Sequence, residues 1–204
     1  MEDQAHRPIP QKPVRYLPLK RALDLLFSIL LLIFLALPMT VIALAVAFTS
    51  RGGVLFRQTR IGRDGAPFTC LKFRTMVKEA PPNRPSAEFS DAAQYITPVG
   101  RFLRKTSLDE LPQLWNVLRG DMSLVGPRPL IGEEREIHRV RSEHGVYRVR
   151  PGMTGLAQVH GRDRLGNSEK AAYDIRYVNN LSLREDLRIV RKSLGCVFSG
   201  ENAK

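Results

Sequence analysis

Two adjacent carboxylates, Asp109 and Glu110, are the strongest candidates for chemistry in this sequence. They lie in the segment SLDELPQ, where Ser107 is predicted to open a helix. The positive end of a helix dipole favours ionised carboxylates and also attracts phosphate groups. An ionised Asp is a usable nucleophile toward phosphorus, and a neighbouring Glu can hold a divalent cation. The pair also fits a structural role, because Ser107 and Glu110 are spaced as a capping box.

Basic residues elsewhere in the chain could surround this acidic pair. Pro127 and Pro129 stiffen the backbone on both sides of Arg128, which suits an arginine that binds phosphate through two hydrogen bonds. Lys72 and Arg74, in a predicted β-hairpin, and Arg162, in a glycine-rich loop, supply further positive charge. Each cation alone is typical of a solvated surface residue. Together with the acidic pair they predict a basic cleft suited to metal-assisted phosphoryl transfer.

A long apolar segment precedes these motifs. Residues 25–48 read LLFSILLLIFLALPMTVIALAVAF and carry no charge. As a helix, this segment would extend about 36 Å, enough to cross a hydrocarbon core of about 30 Å. A cleaved signal peptide is the less favoured alternative, because its apolar core would be shorter and would end at a small-residue cleavage site.

The charges around the apolar segment predict its topology. Positive residues mark the cytoplasmic side of a membrane, and they flank this segment at both ends. Pro38 removes a helical hydrogen bond near the middle, which predicts a re-entrant helix that bends and returns to the same side. A kinked ordinary span is the alternative. Asp24, at the entrance, is expected to be neutralised by Lys20 or Arg21, one turn away.

The remaining pattern predicts an α+β fold that is mostly helical, with a short β-hairpin. Four regions are expected: a flexible arm (1–18), the re-entrant membrane helix broken at Pro38 (19–50), one catalytic domain (51–198) and a tail (199–204). The hairpin strands are predicted over 54–59 and 68–75, a surface loop over 78–96 and a glycine-rich loop over 151–166. Helices are predicted from Thr97-Pro98, from Ser107 to Gly120, and over 131–143, 168–179 and 182–198.

The last predicted helix is amphipathic. Leu187, Val190, Leu194 and Val197 share one face, among four basic residues. Such a helix either lies at an anionic membrane surface or packs on the core with a solvated basic face. The pattern does not decide between these two arrangements.

Composition narrows the possible partners. Lys and Arg number 32 against 20 Asp and Glu, a formal net charge of +12 that favours a polyanionic partner. Nucleic acid is disfavoured, because aromatic residues make up only 7% of the chain and no recognition helix is evident. Cys70 and Cys196 are far apart and belong to no Cys/His cluster, so a zinc site is not expected.

Five motifs in order resemble one family: Lys20-Arg21-x-x-Asp24, Lys72-Phe73-Arg74-Thr75-Met76, SLDELPQL from Ser107, GDMSLVGPRP from Gly120 and RPGMTG from Arg150. The chain is similar to bacterial monotopic phosphoglycosyl transferases, also called polyprenyl-phosphate sugar-1-phosphate transferases or bacterial sugar transferases. The resemblance runs from about residue 19 to about residue 190. It is to the short, single-domain form of the family.

The resemblance implies a reaction. A UDP-sugar donates a sugar 1-phosphate to polyprenyl (undecaprenyl) phosphate and releases UMP, in the first membrane step of surface glycan or glycoprotein assembly. Asp109 matches the nucleophile that forms a covalent phospho-Asp intermediate, and Glu110 matches a residue that helps to bind the required Mg²⁺. The implied location is the bacterial inner membrane, with the catalytic domain on the cytoplasmic face and in contact with anionic lipids.

The resemblance also implies roles for other residues. Positions associated with substrate binding or the active-site network are matched by Lys72, Arg104, Arg128, Arg162 and Asp174. Pro127-Arg128-Pro129 matches a motif on the nucleotide side, and Pro38 matches the residue that breaks the membrane helix. Three departures stand out: Leu37 replaces a Ser common before the breaking Pro, and Leu156 and His160 replace a common Trp and Asn.

Two other classes of function fit the residues. A lipid-linked phosphatase would use the same Asp-Glu pair, but water would resolve the phospho-Asp. A non-enzymatic basic membrane adaptor would need neither Asp109 nor Glu110. The sequence indicates neither the sugar, the glycan pathway nor the oligomeric state.

Overall fold

A computed structural model of the chain describes residues 15–50, 52–80, 92–161 and 164–199. These residues are mostly helical, and the predicted α+β class is confirmed. The helices are α1 (Tyr16–Phe34), α2 (Ala36–Thr49), α3 (Pro98–Thr106), α4 (Gln113–Arg119), α5 (Arg135–Glu143), α6 (Asn167–Asn179) and α7 (Leu183–Ser199). The strands are β1 (Leu55–Ile61), β2 (Pro67–Phe73), β3 (Ser123–Val125) and β4 (Gly152–Thr154).

The predicted hairpin is confirmed. Strands β1 and β2 pair antiparallel, from Leu55 opposite Phe73 to Ile61 opposite Pro67. The turn between them uses left-handed backbone at Asp64 and Gly65, with φ of 57° and 74°. This hairpin carries Lys72 and brings it toward the acidic pair.

The predicted glycine-rich loop is wrong in part, because it contains strand β4. This strand pairs in parallel with β3, with Ser123 opposite Gly152 and Val125 opposite Thr154. The two backbones approach so closely that a Cβ at Gly152 would lie 2.0 Å from the Gly126 nitrogen. Strands of three residues are too short for a period-two pattern to show in the sequence.

The apolar segment folds as two helices with a bend of 64° between α1 and α2. Neither helix by itself is long and apolar enough to cross a membrane, although the bent pair together passes that test among the described residues. The break falls at Leu35 and not at Pro38, which lies in the first turn of α2. Proline has no N–H for the carbonyl four residues earlier and its ring crowds that carbonyl, so the helix breaks before the proline.

The start of α1 corrects the predicted arm. Helix α1 begins at Tyr16, and Pro18 lies within its first turn, where a proline is tolerated. The rest of that arm and the predicted tail beyond Ser199 lie outside the described residues. The prolines of the predicted surface loop, Pro81, Pro82 and Pro85, also lie outside them. The two ends of that loop meet where Met76 bridges Ile96.

Helix α1 has an inverted burial pattern. Its buried residues are the polar Lys20, Asp24 and Ser28, spaced four apart on one face. Large apolar side chains on its other faces are exposed, and Phe34 is 81% exposed. This is the reverse of a water-soluble helix, in which the apolar face is buried.

One end of the polar face binds the C-terminal helices. Lys20 Nζ lies 2.5 Å from the Asp186 carboxylate, and both side chains are buried. Tyr16 and Tyr177 also donate to that carboxylate, at 2.7 and 2.8 Å. Asp186 on α7 is therefore the centre of a buried polar cluster that joins α1 to α6 and α7.

The other end of the polar face binds the segment around β3 and α4. Asp24 accepts hydrogen bonds from Ser123 Oγ (3.1 Å) and the Leu124 backbone nitrogen (3.0 Å). Its expected neutralisation by Lys20 or Arg21 is wrong, since the Lys20 ammonium bonds to Asp186. Arg21 donates instead to the last carbonyls of α4, Val117 O (2.6 Å) and Leu118 O (2.9 Å).

The main core lies between α6, α7 and the β3–β4 pair, and includes Val125, Leu156, Tyr177 and Ile189. Helix α7 packs here through Ile189, which is fully buried. The apolar face predicted for this helix points outward, since Leu187 and Leu194 are 60% and 55% exposed. Packing of that face on the core, one of the two predicted arrangements, is therefore not what the structure shows.

Candidate active site

Asp109 and Glu110 lie on a tight 3₁₀ turn, Leu108–Glu110, between α3 and α4. Helix α3 begins as predicted, with Thr97 Oγ1 accepting from the Gly100 nitrogen at 2.9 Å. Its end at Ser107 is left-handed, with φ of 58°. The carboxylates therefore precede α4 and do not belong to its first turn.

The predicted capping box at Ser107 and Glu110 is wrong. A capping Ser needs extended backbone, whereas Ser107 is left-handed and its side chain makes no capping hydrogen bond. The Glu110 carboxylate lies instead 2.7 Å from Lys72 Nζ and 3.8 Å from Arg128 Nη1. The three side chains are 18%, 20% and 28% exposed, respectively, so an incoming ligand can reach them.

Asp109 is more deeply placed, at 9% exposure. Burial raises the pKa of its carboxyl group, and the nearby Glu110 charge adds to this increase. The charges of Lys72, Arg104 and Arg128 oppose it, but burial prevails. Three cations therefore converge on one poorly solvated carboxylate, as the sequence predicted for Lys72 and Arg128 and the resemblance implied for Arg104.

Arg104 is fixed by the hairpin side of the site. Its Nε donates to Thr75 Oγ1 at 2.9 Å, just beyond the end of β2. Burial lowers the pKa of this guanidinium, and the Asp109 carboxylate opposes that decrease. Helix α3 can approach Thr75 so closely because of Gly100, where a Cβ would lie 2.1 Å from the Thr75 carbonyl oxygen.

The Pro-Arg-Pro loop (residues 127–129) is held by a hydrogen bond to each of its three carbonyls. The Gly152 nitrogen donates to the Pro127 carbonyl at 2.8 Å. Arg141 Nη1 donates to the Arg128 carbonyl at 2.9 Å, and Arg60 Nη1 to the Pro129 carbonyl at 2.7 Å. Sequence reasoning gave neither Arg60 nor Arg141 a role in the site, since nothing in a sequence marks an arginine that binds backbone carbonyls.

Asp174 lies behind this loop and not on the surface of the site. Its side chain is fully buried on α6, and it forms an ion pair with Arg141. The structure thus places Asp174 in the network around the site, while its burial separates it from any substrate that reaches Glu110.

Asn116 is a further residue that the sequence did not single out. It is fully buried on α4, where its Oδ1 accepts from the Leu71 nitrogen (3.0 Å) and its Nδ2 donates to the Thr69 carbonyl (2.7 Å). Asn116 thereby satisfies two backbone groups at the free edge of β2, as the backbone of a neighbouring strand would. It fixes the hairpin, which carries Lys72, to the helix that follows the acidic pair.

Other predicted residues are placed elsewhere. Arg162 lies outside the described residues. Arg74 does not join the acidic pair, since its Nε donates to the Gly53 carbonyl and its guanidinium lies over Phe56. Leu156 belongs to the core, and His160 stacks on Tyr173 and bonds to Lys192 Nζ at 3.0 Å.

The carboxylates of Asp109 and Glu110 are too few to hold Mg²⁺ by themselves, so a magnesium site here would need ligands from a substrate. Among residues 15–50, 52–80, 92–161 and 164–199, no three His, Cys, Asp or Glu side chains form a group that could hold a metal by themselves. Mg²⁺ is commonly bound by one or two carboxylates together with substrate phosphates. The Glu110 carboxylate, partly exposed beside Asp109, fits this kind of shared site.

A buried carboxylate surrounded by cations has the chemistry that phosphoryl transfer requires. The chain belongs to the bacterial sugar transferase family, whose profile matches residues 15–200. This match includes every element described above.

Several similar proteins have names that state an activity or a product. The chain is 45% identical, over 193 residues, to a UDP-glucose:undecaprenyl-phosphate glucose-1-phosphate transferase of Caulobacter vibrioides, covering 90% of this chain and 71% of the relative. It is 41% identical, over 194 residues, to the exopolysaccharide production protein ExoY of Sinorhizobium fredii, covering 87% and 84%. It is 42% identical, over 200 residues, to a UDP-galactose-lipid carrier transferase of Erwinia amylovora. That match covers 91% of this chain but only 41% of the longer relative.

Proposed function

We propose that this protein transfers a sugar 1-phosphate from a UDP-sugar to polyprenyl phosphate. The observation that carries the proposal is the buried carboxylate of Asp109 among Lys72, Arg104 and Arg128. Family membership supports it, and so do the names of relatives that use UDP-glucose and undecaprenyl phosphate.

The first step is attack of an Asp109 carboxylate oxygen on the phosphorus that bears the sugar. A P–O bond forms to Asp109, and the P–O bond to the nucleotide breaks, so that UMP leaves with the bonding electron pair. In the second step, a phosphate oxygen of the polyprenyl carrier attacks the same phosphorus. The bond to Asp109 then breaks, which regenerates the carboxylate and gives a polyprenyl diphosphate sugar.

The surrounding cations stabilise the negative charge that accumulates during both steps. Lys72 and Arg128 lie close to Glu110, at the exposed side of the site, where a diphosphate can reach them. Arg104 is held on the buried side, next to Asp109. Glu110 would hold Mg²⁺ together with the donor phosphates, and the ion would neutralise charge on the departing UMP.

We further propose that α1 and α2 form a re-entrant anchor, with both ends on the cytoplasmic face of a bacterial inner membrane. The inverted burial pattern of α1 supports this placement, because exposed Leu, Ile and Phe side chains are favourable in lipid. The outward apolar face of α7 and the net charge of +12 fit contact with anionic lipids at the same surface. The acceptor phosphate would then enter the site from the membrane.

The test is UMP release from a panel of UDP-sugars, with polyprenyl phosphate and Mg²⁺ and with purified protein in nanodiscs. We expect release with at least one donor, and formation of the matching lipid product. A lipid-linked phosphatase would instead release free phosphate or sugar phosphate whether or not the acceptor lipid was present. An adaptor would release nothing from any donor, and either result would overturn the proposal.

A further inference from the structure

The basic residue Arg141 connects the active-site loop to the interior of the protein. It lies on α5 and is only 2% exposed. Its Nη1 donates to the Arg128 carbonyl at 2.9 Å, and its Nη2 pairs with the Asp174 carboxylate. One guanidinium thus bonds both to the residue that presents a cation in the site and to a fully buried acid.

We propose that Arg141 is a positioning residue for Arg128, and that Asp174 acts through Arg141 and does not touch substrate. The kinetic part of this inference rests on the proposed function. The structural part, that Arg141 fixes the Pro-Arg-Pro loop, does not.

The Pro-Arg-Pro loop needs such support because of its prolines. Pro127 and Pro129 have no backbone N–H, so their carbonyls are the backbone groups by which they can be anchored. The Arg128 carbonyl is the central acceptor, and the Arg128 side chain extends from the same residue to within 3.8 Å of Glu110. A hydrogen bond to this carbonyl therefore restricts the backbone from which the active guanidinium projects.

Two features favour arginine at position 141. A planar guanidinium presents several N–H groups in fixed directions, so it can donate to a carbonyl and a carboxylate at the same time. A buried guanidinium also requires a counter-charge, because an unpaired buried charge is strongly destabilising. Asp174 supplies this charge, and no separate role in binding substrate is needed to explain its presence.

A double-mutant cycle tests whether Asp174 acts through Arg128. Asp174→Asn removes the charge that holds Arg141 and should lower kcat/KM about tenfold when Arg128 is intact. When Arg128 is already replaced by Ala, the same change should lower kcat/KM by less than about twofold. Equal factors in both backgrounds would overturn the proposal.

Asp186→Asn is the matched control for this cycle. Asp186 also belongs to a buried ion pair, with Lys20. Its carboxylate accepts hydrogen bonds from Lys20, Tyr16 and Tyr177, and none of these residues lies in the Pro-Arg-Pro loop. Any loss of kcat/KM that it causes should be the same with and without Arg128. A general loss of stability therefore gives additive effects, whereas a positioning role does not.

A second variant removes the interaction without leaving a buried charge. Arg141→Met combined with Asp174→Leu replaces the ion pair by apolar residues, a change that is often neutral for stability. We expect a melting temperature close to that of the wild type and a lower kcat/KM. We also expect faster exchange of the Gly126, Arg128 and Leu130 amides, the three N–H groups in and beside the loop. Unchanged exchange there would overturn the proposal even if no donor were turned over. A wild type that releases no UMP would count against the proposed function alone.

Discussion

Asp109 is a carboxylate that the fold makes costly to ionise. Burial raises its pKa, so the folded protein binds a proton at this group more readily than the unfolded chain does. At neutral pH the ionised group therefore costs stability. This cost begins to shrink as the pH falls through the raised pKa, and it is gone below the pKa of the unfolded chain. In the proposed role of nucleophile, Asp109 would be reactive because water solvates its carboxylate poorly.

Asp109→Asn should separate activity from stability. We expect transfer activity to fall by about 10³-fold or more, since an amide is a poor nucleophile toward phosphorus. We expect the melting temperature at pH 7 to exceed that of the wild type, and the difference to narrow toward acid pH. Thermal scans between pH 4 and pH 8 measure this, with the exposed Glu133→Gln as control. A variant less stable than the wild type at every pH would contradict the argument.

The reaction intermediate provides a direct check on the same residue. After incubation with a competent UDP-sugar and no acceptor, intact-mass analysis under acidic quench should show one added sugar phosphate. Peptide mapping should place it on Asp109. An adduct on another carboxylate would show that the role is assigned to the wrong residue.

Glu110 faces cations and not a helix cap, so its loss should affect chemistry more than stability. Glu110→Gln removes the carboxylate charge beside Lys72 and Arg128 and weakens an oxygen ligand for Mg²⁺. Activity should fall about 10²-fold, and the remainder should need more Mg²⁺. The free energy of unfolding should fall by no more than about 2 kcal/mol, since a Gln side chain can still accept a hydrogen bond from Lys72.

Mg²⁺ titration of UMP release, with unfolding followed in parallel, measures both effects of the Glu110 change. Glu143→Gln is the matched control, because Glu143 forms an exposed ion pair with Arg139 on α5. It should leave the Mg²⁺ requirement unchanged. A Glu110→Gln protein with normal activity and a normal Mg²⁺ requirement would leave this residue without a catalytic role.

At the scale of the elements, the site depends on how the hairpin is fixed to α4. Asn116 is the link, because its side chain satisfies both the Leu71 nitrogen and the Thr69 carbonyl. Asn116→Ala would leave these buried groups without partners and should destabilise the protein by about 2 kcal/mol or more. It should also lower kcat/KM, since Lys72 would no longer be held against the turn that carries Glu110.

Denaturant unfolding and UMP release in the same preparation measure the two effects of Asn116→Ala. The control is Asn180→Ala, which also removes an Asn side-chain bond to a carbonyl, but at an exposed helix end. That variant should lose no more than about 0.5 kcal/mol. If both changes cost the same, the link between hairpin and helix would be unimportant.

Elements with strong local signals could be predicted from the sequence. The hairpin showed alternation and a glycine turn, and α3 showed its Thr97-Pro98 start. The β3–β4 pair was missed because two three-residue strands, far apart in sequence, are joined by non-local contacts. The predicted helix-capping role of Ser107 was wrong. Residue type alone does not distinguish a serine with extended backbone, which can cap a helix, from a serine with left-handed backbone, which cannot.

The residues of the candidate site that belong to sequence motifs could be predicted, and the residues that support them could not. Lys72, Asp109, Glu110 and Arg128 were predicted from residue type and spacing, and the structure brings them together. Arg60 and Arg141 could not be found, since their partners are backbone carbonyls set by the fold. One missed signal was readable: Lys20, Asp24 and Ser28 recur every four residues, which predicts a buried polar face on a helix that is otherwise apolar.

At the scale of the whole molecule, the break before Pro38 determines the proposed topology. An alanine there restores an N–H that can bond the Phe34 carbonyl, so Pro38→Ala should favour one straight helix that reaches across the membrane. A single Cys placed at Gln4 reports the result in intact cells. It needs a Cys196→Ser background, while the buried Cys70 is shielded from the reagent.

We expect an impermeant maleimide to leave that Cys unlabelled when Pro38 is present and to label a fraction of it in Pro38→Ala. Leu37→Ala is the matched control, because Leu37 is 75% exposed beside the break but keeps its backbone N–H. It should behave as the wild type. Labelling of the wild-type arm from outside would refute re-entry and indicate an ordinary single span.

The polar face of α1 has a practical consequence for anyone who wants a soluble fragment. Helix α1 supplies Lys20 to Asp186 and Asp24 to the Leu124 nitrogen, both in buried surroundings. A shortened chain that began after α2 would leave these groups without partners inside the protein, at a cost of several kcal/mol for the buried charge alone. Trimming the hydrophobic segment would thus remove part of the folded core, so biochemical work should keep α1 and α2 in place.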